Sequence, residues 1–186
     1  MKKLFVAIAA FTLAVTLGAC TTTGYRPGEN VTPAAQPVED PQIAETIASF
    51  KNKDPSLVPY FHDAYGYAVF PTIGKGGFVV GGAYGTGKVY VHEQLIGLSS
   101  ITQATIGLQM GGQTYSEIVF FKDAAALERF KEGDFELSAQ ASAVAVTSGA
   151  AANANYSNGV AIFTLTKAGL MYEASVGGQK FSFTPI

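Results

Sequence analysis

The chain is short of the residues from which metal sites, disulfides and charged surfaces are built. Of its 186 residues one is cysteine, two are histidine, none is tryptophan, and 14% carry charge. A single thiol, Cys20, permits no intramolecular disulfide. His62 and His92 stand alone, with no second ligand at metal spacing, so no metal site is expected. No basic run or basic helix face occurs, and the formal net charge is −2. That speaks against a nucleic-acid footprint and against polybasic docking on anionic membranes. Beyond the first twenty residues no apolar run is long enough to span a bilayer. Catalytic signatures are missing as well: His62-Asp63 has no Gly-x-Ser-x-Gly elbow to accompany it. Glu117 and Glu173 fall inside strand-like runs, where a wet-face position is the ordinary reading, and no glycosidase signature accompanies them. The expectation is a protein that is not an enzyme and holds no cofactor.

What is present begins at the N-terminus. Lys2 and Lys3 precede an apolar run from Leu4 to Leu17, the length of a secretory signal core and too short for a spanning helix. Gly18 and Ala19 offer the small residues a signal peptidase needs, and Cys20 follows directly. Leu17-Gly18-Ala19-Cys20 resembles the lipobox of bacterial lipoproteins. The resemblance implies cleavage before Cys20 and acylation of its thiol, so that the mature chain starts there as a lipid-anchored protein. Each buried acyl methylene then contributes about 0.8 kcal/mol to anchoring. Loss of Lys2 and Lys3 with the signal makes the mature chain two charges more negative.

Residues 20–41 hold the lipidated cysteine and a stretch with four prolines and no hydrophobic periodicity, the composition of a tether. Order is expected from Asp40-Pro41, where an N-cap and a first-position proline precede Ile43, Ile47 and Phe50 at i, i+4, i+7. This spacing predicts an amphipathic helix over about 42–52, with either of two fates for its apolar face. It packs on the domain core, or it touches a membrane next to the tether. A second helical piece around 56–64 is interrupted by Pro59.

From Tyr65 short β-prone runs alternate with glycines. The pattern predicts hairpins at Gly85-Thr86-Gly87 and Gly111-Gly112, and a helix over Ala124–Lys131 capped by Asp123. It adds a strand over Phe135–Val146, a loop over 150–158, and three closing strands turning at Lys167-Ala168-Gly169 and Gly177-Gly178. The fold class expected is α+β: a strongly curved, glycine-rich antiparallel sheet or small barrel with a few flanking helices.

Gly82-x4-Gly87-Lys88 matches part of a phosphate-binding P-loop, but Val89 stands where Ser or Thr should follow. The segment also lies between strand-like runs rather than opening a helix. These glycines read as turn and bulge positions. The aromatics Tyr60, Phe61, Tyr65, Tyr67, Phe70, Phe78, Tyr84 and Tyr90 read mostly as core, with a minority available to line a groove. Lys75 and Lys88, beside glycines, are candidate phosphate contacts on turns, set against the plainer reading of solvated lysines.

Ala64-Tyr65-Gly66-Tyr67-Ala68-Val69-Phe70-Pro71, followed by the glycine-rich run Gly76 to Gly87, resembles the SYLF domain family. The likeness continues through Ile106–Gly112, Ile118–Phe121, Phe163–Leu170 and Gly177-Gly178. It covers about 42–186. The resemblance implies a lipid-binding domain recognising phosphoinositides, partly through an N-terminal amphipathic helix, a role that falls here on Ile43, Ile47 and Phe50. Lys75 and Lys88 join them as candidate headgroup contacts. Two departures stand out: no Trp-Ser pair follows the glycine-rich region, which reads Val91-His92-Glu93-Gln94, and Lys51 and Lys53 are the only bases near the helix. Bacterial members are commonly envelope lipoproteins, in keeping with Cys20. Actin binding is not carried over, since a bacterial envelope holds no actin. Thr21 after the cysteine resembles the outer-membrane pattern of Gram-negative lipoproteins. The partners expected are membrane phospholipids, through acylated Cys20 and the folded domain. The alternative is a structural lipoprotein whose grooves hold an envelope protein or cell-wall component.

Overall fold

The structure, a computed structural model, describes residues 40–133, 136–137 and 143–186. The signal segment, Cys20 and the tether up to residue 39 therefore lie outside the described residues.

Asp40 caps helix α1 (Pro41–Lys53), its carboxylate accepting from the Gln42 amide at 2.9 Å, with Pro41 at the first position, where a missing N–H costs nothing. Asp54 ends α1 and starts a 3-10 turn (Pro55–Leu57), which leads into α2 (Val58–Asp63) with Pro59 tolerated in its first turn. The remainder is a six-stranded mixed sheet: β1 (Gly66–Gly77), β2 (Val80–Val91), β3 (Gln94–Phe121), β4 (Glu136–Leu137), β5 (Val144–Ala145) and β6 (Val160–Pro185). Helix α3 (Ala124–Glu132) follows β3, with Asp123 accepting from the Ala126 amide and Gly133 in the left-handed region closing it.

Register determines the architecture. β1 and β2 form a hairpin, and β3 pairs antiparallel with β2 from Gln94 to Ile106, then with β1 from Gly111 to Phe121. β3 thus runs up one side of the hairpin, rounds its turn and returns along the other. β6 follows β3 from Gly97↔Pro185 to Phe121↔Val160, so a long two-stranded ribbon is wrapped about a short hairpin. The sheet curls far enough for its ends to meet. Gln179 on β6 donates to Glu117 on the opposite limb of β3 at 3.1 Å, and rings from β1, β3, α3 and β6 (Phe70, Phe121, Phe130, Phe181) stack 4.8–5.7 Å apart. It remains an open curl and not a closed barrel.

Alternation along β3 divides the core between the two faces. Tyr115, Val119 and Phe121 point into the curl with Ile73, Ile101 and the α3 residues Leu127 and Phe130. Ile118 and Phe120 point outward, beneath Ile43, Phe50 and Leu57 of the N-terminal helices. A sheet buried on both faces explains the high hydrophobic share.

Several expected turns are absent. The hairpin turn is Phe78-Val79, with Gly85–Gly87 inside β2, and Gly111-Gly112, Lys167–Gly169 and Gly177-Gly178 lie within continuous strands. Glycine here supplies close approach instead of reversal. A Cβ on Gly87 would stand 2.4 Å from the Val69 carbonyl oxygen. Gly169, at φ +91°, sits at the bulge where Thr114 pairs with Ala168 but Tyr115 with Thr166. The sheet is mixed because β5 runs parallel to β6. Of the strand expected over Phe135–Val146, only β4 and β5 fall among the described residues.

Candidate functional site

The inner face of the curl changes character along its length. Near α3 it is wholly apolar. Toward the hairpin turn the inward positions become Lys75, Gln103, Gln113, Glu117, Thr164 and Gln179, bordering a cavity of about 200 Å³. Glu117, fully buried, forms its floor with Gln179 and Tyr115, while Thr166, exposed, lies at its mouth. Lys75 pairs with Gln113, two residues short of Gly77↔Gly111, so this side of the lining lies nearer the hairpin turn.

Glu117 accepts one hydrogen bond, from Gln179 Nε2, and its Oε1 and the Gln179 Oε1 have no partner. Burial drives its carboxyl up to about 7, outweighing the Gln179 bond, which acts the other way. At neutral pH the carboxyl is divided between its two states. The strand-interior glutamate expected on a wet face is instead the most deeply buried carboxyl described. The sequence carried the signal: Tyr115, Glu117, Val119 and Phe121 share one parity, and that parity faces the core. Glu173, its expected counterpart, lies outside the residues whose side chains are described.

The end of the sheet at the hairpin turn is apolar. Phe78, Val80, Ile106 and Met110 are 67%, 69%, 71% and 64% exposed. Val80 and Ile106 are direct cross-strand partners, Phe78 occupies the turn, and Met110 adjoins the Gly111↔Gly77 pair, so the four belong to one end of the sheet.

A second depression, of about 540 Å³, lies where α1 begins, between Ile43 and the outer face of β2, β3 and β6. Thr72, Thr86, Ser100 and Ser182 stand opposite one another on four successive strands and give it a row of hydroxyls, with Ser100 Oγ and Ser182 Oγ 2.7 Å apart.

The residues singled out from sequence do not converge on one place. Ile43 and Phe50 are buried, and Ile47 packs on the same cluster, so α1 spends its apolar face on the core and has none left to insert into a membrane. Lys88 lies inside β2, not on a turn, and its ammonium meets Asp40 Oδ2 at 2.8 Å, a pair that docks the start of α1. Lys75 also lies within a strand, at the cavity. The Gly82–Lys88 run sits inside a strand and opens no helix. Most of the aromatic cluster is core, as expected, while Phe78 and Tyr84 are exposed. His62 and Asp63 form an exposed pair at 2.7 Å, and His92 sits in the β2–β3 turn against Tyr65. Among the described residues no group of three His, Cys, Asp or Glu side chains stands close enough to hold a metal ion, and no helix is long and apolar enough to cross a membrane.

Sequence reasoning missed Asp54. Its buried carboxylate accepts from the Ser56 hydroxyl and from the amides of Ser56, Gly149 and Ala151. Burial would raise its pKa, but these bonds prevail and hold it at about 2. It ties the N-terminal helices to the segment before β6.

Residues 102–184 match the family model Ysc84, described as Las17-binding protein actin regulator. Over 135 residues the chain is 30% identical to Beta cell expansion factor A of Aeromonas veronii, an alignment covering 70% of this chain and 50% of that protein. The chain thus spans about half the length of this curated relative.

Proposed function

The chain belongs to the Ysc84 (SYLF) family, matched over residues 102–184, and from that premise we propose that it is an envelope lipoprotein whose folded domain binds phospholipid surfaces without catalysing a reaction. Acylated Cys20 supplies attachment, and the periplasmic face of an outer membrane is the location this reading gives it. The folded domain adds a second, weaker contact. The observation that carries the reading is the apolar end of the sheet formed by Phe78, Val80, Ile106 and Met110. Four large apolar side chains exposed together are costly in water, and partial insertion of each regains a fraction of roughly 1.5–3 kcal/mol.

The geometry of attachment suits it. Asp40 is fixed against Lys88, eight residues along β2 from Val80 and so about 26 Å from the apolar end at 3.3 Å per residue. The segment from Cys20 to Asp40 spans at most about 66 Å. The apolar end is therefore within reach of the bilayer that holds the anchor, where effective concentrations in the mM range make weak contacts count. Actin regulation, named in the family description, is not part of the proposal.

Co-sedimentation of residues 21–186 with zwitterionic and anionic vesicles, at two salt concentrations, tests it. All described buried hydrophobics fall between Ile43 and Phe181, so this chain keeps that core. The wild type is expected to pellet with vesicles, and Phe78→Ser/Val80→Ser/Ile106→Ser to stay in the supernatant while retaining its fold. A wild type that ignores every vesicle ends the lipid reading.

A second reading draws on the hydroxyl row of Thr72, Thr86, Ser100 and Ser182. A groove of hydroxyls suits a polyhydroxylated cell-wall polymer, and pull-down on insoluble wall material, lost in Thr86→Val/Ser100→Ala, would favour it.

A further inference from the structure

We propose that the cavity floored by Glu117 and Gln179 is a binding site for a primary ammonium group carried on a small zwitterion. With Glu117 ionised, the two unpartnered atoms of its lining residues, Glu117 Oε1 and Gln179 Oε1, are both acceptors. In that state Gln179 is held in this orientation, since only its Nε2 can donate to the carboxylate. Within this lining the unmet need is for donors at these two acceptors, and a guest meets it by supplying N–H or O–H groups. Buried acceptors without partners are unfavourable, more so where the acceptor is charged, so the site favours a guest that fills both. A primary ammonium offers three donors and the charge that a buried carboxylate needs.

The rest of the lining narrows the choice. One carboxylate with neutral amide and hydroxyl oxygens is a poor set for a divalent ion, and no cluster of acids supports one among the described residues. Lys75, paired with Gln113, stands four residues along β3 from Glu117, about 13 Å at strand spacing, on the side nearer the hairpin turn. A positive rim above a negative floor matches a guest whose anion trails its ammonium by a few bonds. The cavity of about 200 Å³ accommodates such a group. A phosphoethanolamine group has this order of charges. It occurs free or as the headgroup of a phospholipid, and the apolar side chains at the hairpin-turn end of the sheet would rest in the bilayer while a headgroup entered. The lipid source rests on the proposed function above; the ammonium site does not.

The titratable groups facing the cavity are Lys75 from β1 and Tyr115 and Glu117 from β3, while β6 contributes only Thr164, Thr166 and Gln179 among the described residues. Since Glu117 alone is divided between two states near neutrality, binding of an ammonium at pH 7 draws it to the carboxylate and expels a proton.

Titration of residues 21–186 with phosphoethanolamine, phosphocholine and inorganic phosphate, followed by calorimetry in two buffers of different ionisation enthalpy, tests the proposal. Phosphoethanolamine is expected to bind with proton release. Phosphocholine keeps the phosphate and the charge but has no N–H, and is expected to bind at least about 10-fold more weakly. Glu117→Gln keeps shape and fold and should lose the same factor together with the proton release. Equal binding of phosphocholine, unchanged binding in Glu117→Gln, or no binding of phosphoethanolamine to the wild type each overturns the site. Vesicles containing phosphatidylethanolamine, set against phosphatidylcholine alone, then identify the source. A preference for the former, lost in Glu117→Gln, supports a headgroup, and binding of the free compound without that preference supports a soluble amine. A wild type that binds phosphoethanolamine but no vesicle refutes the lipid reading and leaves the ammonium site standing.

Discussion

Replacing Glu117 with glutamine, without any ligand, should make the protein more stable in mildly alkaline solution and leave it nearly unchanged in mild acid. The carboxyl moves from an ordinary 4.5 to about 7 on folding because the curl removes it from water. Below pH 4.5 it is neutral in both folded and unfolded chains and costs nothing. As pH rises the unfolded chain ionises first, and the folded state loses ground until the folded carboxyl also ionises above pH 7. At 1.36 kcal/mol per pKa unit the full penalty is about 3 kcal/mol. Most of it accrues between pH 5 and pH 8.5. Glutamine has the same shape and no charge, so its variant should not pay this penalty. Urea unfolding of residues 21–186 at those two pH values measures it. With a slope of about 2 kcal/mol per M, the wild-type midpoint should fall by roughly 1 M relative to that of Glu117→Gln. Asp54, at about 2, and Tyr67, Tyr90 and Tyr156, at about 12, titrate outside this window and do not confound it. A wild type with equal midpoints at both pH values, or a variant that declines in parallel, would refute the reasoning.

Asp54→Ala should cost about 3 kcal/mol, since it leaves the Gly149 and Ala151 amides without their acceptor; a chevron or urea curve reads this directly. Because the Asp54 carboxyl lies below its ordinary 3.8, its contribution is present above about pH 4 and lost as pH falls toward 2, which acid titration by circular dichroism would follow. Gly87→Ala should destabilise by about 2 kcal/mol or more, its Cβ meeting the Val69 carbonyl at 2.4 Å, whereas Gly74→Ala, with open space around it, should be within about 0.5 kcal/mol of wild type. Ile43→Ser and Phe50→Ser should unfold or strongly destabilise the domain, so loss of vesicle binding in them would accompany loss of the thermal transition. Asp40→Asn should leave the urea midpoint close to that of the wild type, because its pair with Lys88 is solvated and asparagine also caps a helix.

Local signals were legible wherever a cap or a period determined the outcome. Asp40-Pro41 and Asp123 placed α1 and α3 almost to the residue, and the glycine-rich alternation from Tyr65 announced a curved sheet. The strand ends were not legible. Gly85–Gly87, Gly111-Gly112 and Gly177-Gly178 resemble turns because glycine is what a turn requires, and it is equally what a bent strand requires. Only the long pairing of β3 with β6, which no local window contains, decides between the two. The site misled for a similar reason. The i, i+4, i+7 stripe of Ile43, Ile47 and Phe50 is the same whether the face meets lipid or core. Phe78-Val79 is the reversal itself and Val80 opens β2, which is why this apolar run is exposed. Glu117 could have been identified by parity, but doing so required knowing that β3 continues past Gly111-Gly112.

The wrapped ribbon also governs when the molecule can come into being. The β3–β6 pairs join residues from 39 to 88 positions apart in the chain, as in Phe121↔Val160 and Gly97↔Pro185. The first limb of β3 finds its outer neighbour only in residues 176–185. A chain delivered from its N-terminus can form the inner hairpin early, yet has no partner for that limb until residues 176–185 arrive. Those ten residues thus hold a veto over completion of the sheet.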